Sequence, residues 1–321
     1  SVRLTDAFMR AVDEDRGWNL TSRVDGSVVQ TLPAREIWHA IAQSAWEVGD
    51  PGVQFDTTIN AMHTTPTAGR INASNPCVEY MHLDDSACNL ASLKLTKFLD
   101  PSGRFDLPAY RSAAQLLVVA QDILVDYSSY PTRGIAMGAH RFRQLGLGFA
   151  DLGAFLMLQG LPYDSHEGRA LAAMLTSLLT AEAYVMSASL AKHLGPFEGY
   201  VVDRDNVLRV LRQHRENHGR AYQDLLQKRT QRHTLTDTLF EAAAAAWDQA
   251  VEDATRYGVR NAQVTLMAPT GTIGFLMGCT TTGMEPLLAH RQYKSLAGGG
   301  HLQIVNNIVA PALRNLHYVT E

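Results

Sequence analysis

Apolar residues recur at helical spacing over several long stretches of this chain and alternate or cluster over shorter ones. "SVRLTDAFMRAVDED", residues 1–15, predicts a short strand running into an amphipathic helix. "PAREIWHAIAQSAWEVGD", residues 33–50, predicts a second helix with Pro33 near its first turn, where a missing N–H costs nothing. "PGVQFDTTIN", residues 51–60, reads as a strand ending in polar residues, and "CNLASLKLTKFL", residues 88–99, as a buried strand. Residues 107–130 and 168–195 predict long helices, the second closed by Gly195. The alanine-rich run 236–258 predicts another, with Thr236 or Asp237 as its cap and Gly258 as its end. It leads into "VRNAQVTLMAPTGTIG", residues 259–274, read as a strand followed at once by a Pro/Gly turn. Residues 301–321 begin a further helix-like pattern without a terminal cap. Helix, strand and loop in this order predict an α/β chain. No internal repeat or domain boundary stands out, so residues 1–321 are expected to form one domain or a portion of one.

The 321 residues can bury a substantial core without a metal or a disulfide to hold it. Hydrophobic residues at 46% and charged residues at 19% exclude a disordered or collagen-like chain. A formal net charge of −4 gives no general attraction to a nucleic acid polymer. No run approaches the roughly 20 apolar residues of a membrane span, and residues 1–15 lack the layout of a signal peptide. The expected location is cytoplasmic. Three cysteines do not make a secreted disulfide framework, which turns attention to individual thiols.

Two of them, Cys77 and Cys88, lie within "INASNPCVEYMHLDDSACNLASL", residues 71–93. Pro76 disfavours helix at Asn75, so the stretch is expected to be extended or looped. In an extended segment Asn75, Cys77 and Glu79 share a face, with neighbours about 6.5–7 Å apart. An amide, a thiol and a carboxylate so spaced can surround a small polar ligand such as a sugar. Glu79 would accept a proton, Asn75 would orient the ligand and the thiol would react. On spacing alone the simpler reading is Cys77 as a small buried hydrophobe and Glu79 as a solvated surface acid. The three cysteines form no Cys-x-x-Cys pair, so zinc, or any metal, is not expected.

"SNPCVEYMHLDDSACNLASL" resembles the active-site segment of the ribonucleotide reductases, especially the adenosylcobalamin-dependent class, where Asn-Pro-Cys-x-Glu is followed by Ala-Cys-Asn-Leu-Ala-Ser-Leu. "GDPGVQFDTTIN", "RQLGLGFADLGAFLM", "LPYDSHEGRALAA", "APTGTIG", "TTTGMEP" and "YKSLAGGGH" are similar to further segments of that family. The resemblance implies a ten-stranded α/β barrel with a central loop carrying the radical cysteine, and reduction of ribonucleotides to deoxyribonucleotides. It implies that Cys77 becomes a thiyl radical that takes the 3′ hydrogen, that Glu79 removes the 3′-hydroxyl proton, and that Asn75 hydrogen-bonds the substrate. Cys88 would be one half of a reducing thiol pair. The other half lies nearer the N-terminus in the family, and no cysteine precedes Cys77 here. The chain is therefore expected to be an internal piece of a longer enzyme, incomplete for turnover by itself. The cofactor so implied is adenosylcobalamin, and the partners are a ribonucleoside di- or triphosphate and an external dithiol reductant such as thioredoxin. A homodimer is compatible with the family. Other readings are a nucleotide-binding barrel remnant without turnover and the large subunit of a metal-radical reductase. A glycyl-radical enzyme fits these motifs poorly.

"APTGTIG", residues 268–274, follows the apolar run "VTLM" and lacks the Gly-Lys-Ser/Thr ending of a Walker loop. A strand-to-turn transition there exposes backbone N–H groups that, with threonine hydroxyls, can cradle a phosphate, although a plain turn is the simpler reading. The family resemblance implies the substrate-phosphate loop at Pro269, Thr270, Gly271, Thr272 and Ile273. In "GCTTTGMEP", Thr280 stands where the family often has an acid, and Cys279 reads as structural. Gly298–Gly300 reads as a turn or a point of close backbone approach. His214 and His218, four apart, are expected on a solvated helix face, since Glu216 is misplaced for a zinc-protease pattern. Arg212, Arg215, Arg220, Lys228, Arg229 and Arg232 read as an exposed basic surface. "LGAFLMLQGL", residues 152–161, reads as core.

Overall fold

The structure is a computed structural model that describes residues 1–228, 233–289 and 291–318; Arg229 and Arg232 lie outside the described residues. The chain divides into two compact units, Ser1–Asp84 and Asp85–Glu321.

In the first unit β1 (Val2–Leu4) runs into α1 (Asp6–Asp13), whose first turn is capped by Thr5 accepting from the Phe8 N–H. A hairpin of β2 (Gly17–Thr21) and β3 (Val28–Pro33) follows, then α2 (Ala34–Val48). β4 (Val53–Phe55) pairs in parallel with β1, Val2 opposite Val53, and its polar sequel folds as a short helix, α3 (Asp56–Ala61), rather than ending the strand. Leu4, Phe8, Ala11, Val12 and Ala34 form the core, with Trp18, Ile37 and Ile41 packed against it. The Trp18 ring meets Phe8 edge-on at 5.2 Å.

The second unit is built around parallel strands and long helices. β5 (Asn89–Lys94) leads to α4 (Leu107–Tyr127) and α5 (Arg133–Phe142), then to β6 (Leu145–Ala150) and α6 (Leu152–Leu158). β5 and β6 pair in parallel, Asn89 opposite Leu145 through Lys94 opposite Ala150, and every residue of β6 is buried. Three long helices follow: α7 (His166–Leu194), α8 (Tyr200–Lys228) and α9 (Thr234–Tyr257). Gly195 and Gly258 end α7 and α9 as the pattern predicts. The cap of α9 differs: His233 stands at the N-cap, and Asp237 instead accepts from the Tyr222 hydroxyl at 2.7 Å. α7 is long and apolar enough to cross a membrane by length and composition, an outcome the run-length reading missed, but 72% of its apolar window is buried inside the fold. It is the core helix of this unit.

Residues 259–267 run beside β6 without forming a regular strand. The Leu145 N–H bonds to Gln263 O and the Leu147 N–H to Val264 O, so two residues of β6 face one of the neighbour. That register break reduces the expected strand to a single parallel bridge, Leu147 to Thr265. A buried polar network holds the segment: Asp122 accepts from Arg143 Nε (2.9 Å) and Asn261 Nδ2 (2.8 Å), while Ser187 Oγ donates to Asn261 Oδ1 (2.9 Å). The unit closes with α10 (Gly271–Leu276), the hairpin of β7 (Arg291–Ser295) and β8 (His301–Val305), and α11 (Val309–Asn315). Gly298–Gly300 is the turn of that hairpin.

Among the described residues the strands form four two-stranded pairs. His214 and His218 are not solvated. His218 is 5% exposed, bonded to Ser177 and Phe240, and His214 stacks on Trp247 at 5.5 Å, because α8 presents this face to α7 and α9. Burial lowers the pKa of both imidazoles. The basic residues of α8 do lie at the surface, Arg215 paired with Asp248, Arg220 with Glu216 and Lys228 with Asp224.

Candidate active site

The first unit carries Asn75, Cys77 and Glu79 on a tight turn, not on an extended face. Ser74 and Met81 form an antiparallel bridge, and between them the Val78 N–H bonds to Asn75 O at 3.1 Å. Asn75 before Pro76 suits such a turn, since proline fixes the φ that its second position needs. Val78 takes the left-handed region at φ 70°, which turns the chain back. The Asn75 side chain closes the loop, its Oδ1 accepting from the Tyr80 N–H at 3.0 Å. Asn75 thus shapes the loop through its carbonyl oxygens and leaves its NH2 group to donate.

Cys77 is exposed at the tip of this turn. Glu79 is half-buried, and its Oε2 is enclosed without a hydrogen-bond partner. This inverts the simpler sequence reading of a buried thiol and a solvated acid. A buried carboxylate oxygen lacking a donor is costly, and a substrate hydroxyl would satisfy it. Polar contacts tie the loop to the strands beneath it. Arg3 Nη1 donates to Gln54 Oε1 (2.7 Å), Gln54 Nε2 to Ser74 Oγ (2.8 Å), and Ser74 Oγ to Asn75 O (2.8 Å). Gln54 is 4% exposed, and an isolated glutamine inside the strand "VQF" was the available signal for this relay.

The second unit carries Cys88 and residues 269–273. Cys88 lies just before β5, where Asn89 and Gln121 of α4 bond each other's backbone: Gln121 Nε2 to Asn89 O (2.7 Å) and Asn89 Nδ2 to Gln121 O (3.3 Å). A Cβ placed on Gly146 of β6 would stand 2.7 Å from Cys88 Sγ and 2.7 Å from Leu266 Cδ2. Glycine is thus what admits the sulfur beside the segment leading to the threonine-rich loop. The alternating glycines of "LGLGFA" were the readable sign of that close approach.

In that loop Thr270 is buried in the left-handed region, and its Oγ1 accepts from the Gly283 N–H at 2.6 Å, so this hydroxyl acts within the protein. Pro269, Gly271, Thr272 and Ile273 are exposed. The first helical bond of α10 runs from the Gly274 N–H to Thr270 O, which leaves the amides of Gly271, Thr272 and Ile273 ahead of the helical ladder. Cys279, the third thiol, is pushed up to about 11 by burial and by the Asp151 carboxylate, so it stays protonated at neutral pH. All three cysteines are unbridged. Among the described residues no group of three or more His, Cys, Asp or Glu side chains is arranged to hold a metal ion.

The family model for the ribonucleotide reductase barrel domain matches residues 1–321, and the chain belongs to that family. It is 48% identical over 99% of its length to a vitamin B12-dependent ribonucleotide reductase of Agrobacterium fabrum, covering 26% of that protein. It is 45% identical over 100% of its length to the protein of that name from Streptomyces coelicolor, covering 33% of it. A vitamin B12-dependent ribonucleoside-diphosphate reductase of Mycobacterium tuberculosis is 33% identical over 95% of the chain, which covers 37% of that relative. The chain thus spans about a quarter to a third of the length of most curated relatives it matches.

Proposed function

We propose that residues 1–321 are part of the catalytic barrel of an adenosylcobalamin-dependent ribonucleotide reductase that makes 2′-deoxyribonucleotides in the cytoplasm. The observation that carries the reading is the exposed Cys77 thiol on a turn whose Glu79 carboxylate holds an enclosed oxygen without a partner. Membership of the family and the printed names of the relatives support it.

An exposed thiol fits a cysteine whose hydrogen is removed from outside its loop, and that is the chemistry adenosylcobalamin supplies when bound. The residues of this chain then divide the work. The Cys77 thiyl takes the 3′ hydrogen of the ribose and returns it once the 2′ carbon is reduced, and Glu79 accepts the 3′-hydroxyl proton and gives it back. The Asn75 NH2 group orients the substrate. Cys88, with a partner thiol outside residues 1–321, supplies the proton and reducing equivalents by which the 2′-hydroxyl leaves as water, and the pair ends as a disulfide. An external dithiol such as thioredoxin restores it. The amides of Gly271, Thr272 and Ile273 and the Thr272 hydroxyl, on the turn begun by Pro269 and Thr270, hold the substrate's phosphates. The ten-stranded barrel, with a central loop carrying Cys77, completes the parallel pairs seen here, and a homodimer is the proposed assembly.

The test is deoxynucleotide formation by the full-length enzyme from ribonucleoside di- and triphosphates with a dithiol, with and without adenosylcobalamin. Turnover only with the cofactor is expected. Turnover without it would assign the chain to the metal-radical class.

A further inference from the structure

We propose that Asp151 and Lys94 are positioning residues for the substrate's phosphates: they clamp residues 277–283, and that segment sets the threonine-rich loop. The proposal rests on the reading of residues 269–273 as the phosphate site.

Asp151 follows β6 directly, in the left-handed region at φ 72°, and its side chain is 1% exposed. It stands at the N-cap of α6, yet its carboxylate makes no capping bond to that helix. Both oxygens point elsewhere. Oδ1 accepts from the Thr280 N–H (2.8 Å) and the Thr281 N–H (2.9 Å). Oδ2 accepts from the Thr96 hydroxyl (2.7 Å) and faces Lys94 Nζ at 3.8 Å. Lys94 Nζ in turn donates to Met277 O (3.2 Å) and to Gly278 O. One ion pair, its carboxylate buried and its ammonium partly exposed, therefore grips the amides at one side of the segment and the carbonyls at the other.

The grip reaches the loop through Gly283. Its N–H donates to Thr270 Oγ1 at 2.6 Å, and a Cβ on it would stand 2.9 Å from Ala268 O and 3.2 Å from Pro269 O. The segment's backbone thus rests on the residues that begin the loop. Charge-assisted bonds to a buried carboxylate are short and directional, so they fix the segment more firmly than water or neutral partners would. A carboxylate that caps nothing, and is spent on two amides of a distant segment, is placed for that segment. Its effect on catalysis should then be confined to phosphate binding.

The experiment compares the full-length enzyme with its Asp151→Ala, Asp151→Asn, Lys94→Met and Thr272→Val variants, measuring KM and kcat and inhibition by inorganic pyrophosphate. Asp151→Ala is expected to raise the nucleotide KM about tenfold and weaken pyrophosphate inhibition in parallel, with kcat within about twofold of wild type. Asp151→Asn keeps an oxygen for the two amides but loses the charge and the pairing with Lys94, so its KM should fall between wild type and Asp151→Ala, about threefold above wild type. Lys94→Met should raise KM about threefold at unchanged kcat, and it decides the matter alone if Asp151→Ala does not fold. Loss of kcat at unchanged KM in these variants, or no change in either, overturns the clamp. If Thr272→Val raises KM while the clamp variants do not, the phosphate-loop reading stands and the clamp falls. If none of the variants moves KM or pyrophosphate inhibition in an active enzyme, both fall.

Discussion

Cys77 is exposed because Asn75 is used twice, its backbone oxygen closing the turn at Val78 and its side-chain oxygen holding Tyr80. Glu79 is thereby carried inward with one oxygen unpartnered. Glu79→Gln keeps the shape but cannot accept a proton, so kcat in the full-length enzyme should fall roughly 100-fold or more with little change in KM. Wild-type kcat in that variant would remove Glu79 from the proton step. His82, close in sequence, is 4% exposed, and burial, followed by the proximity of His63, pulls its pKa from 6.5 to about 3. The imidazole is neutral when folded, so between pH 6.5 and 3 the unfolded chain binds a proton that the folded one does not. Stability is present above pH 6.5 and is lost as pH falls, by about 2 kcal/mol from this residue at pH 5. The His82 ring resonances should show no inflection between pH 8 and 5 by NMR; a midpoint near 6.5 would contradict the burial. The residue types of this site were legible in "NPCVE", but their geometry was not. A period-2 face exists only where the chain stays extended, and here a bond three residues long overrides it.

At the scale of elements, the meeting of β5, β6 and residues 259–267 decides where Cys88 can sit. Gly146→Ala would drive a methyl into Cys88 Sγ and Leu266. It should destabilise the fold by about 1–3 kcal/mol and change the rate at which Cys88 is alkylated in a background lacking the other thiols. Unchanged stability and alkylation would show that the sulfur does not occupy that space. Arg143→Met would leave Asp122, 7% exposed, with only the looser pairing to Arg260 Nε at 3.5 Å, at a cost of about 3–5 kcal/mol in urea unfolding. A loss under about 1 kcal/mol would mean that Asn261 and Arg260 suffice to hold that charge. The long helices were readable because their apolar positions keep a 3.6-residue period over many turns. β6 was not, since all six of its positions are buried and the run "LGLGFA", for all its alternating glycines, shows no alternation of apolar with polar residues. The hairpin of β2 and β3, with Val28 and Val29 more than half exposed, lacks the one-sided burial that makes a strand legible.

At the scale of the molecule, the chain is a run of family segments in order, and the whole of it matches the ribonucleotide reductase barrel domain. Local patterning predicted an α/β chain, whereas the barrel came from resemblance, because two-stranded parallel pairs such as β1 with β4 and β5 with β6 carry no signal of the strands beside them. The Asp151 and Lys94 clamp was beyond reach for the same reason: its partners lie as far as 184 positions apart. The most direct test of the account is deoxynucleotide formation by the full-length enzyme with Cys77→Ser, assayed beside wild type and Cys88→Ser with adenosylcobalamin and a dithiol. The account predicts that Cys77→Ser abolishes turnover while nucleotide binding persists, since a serine hydroxyl does not yield the radical that a thiol does. Wild-type turnover in Cys77→Ser would contradict it and leave a nucleotide-binding scaffold as the better description.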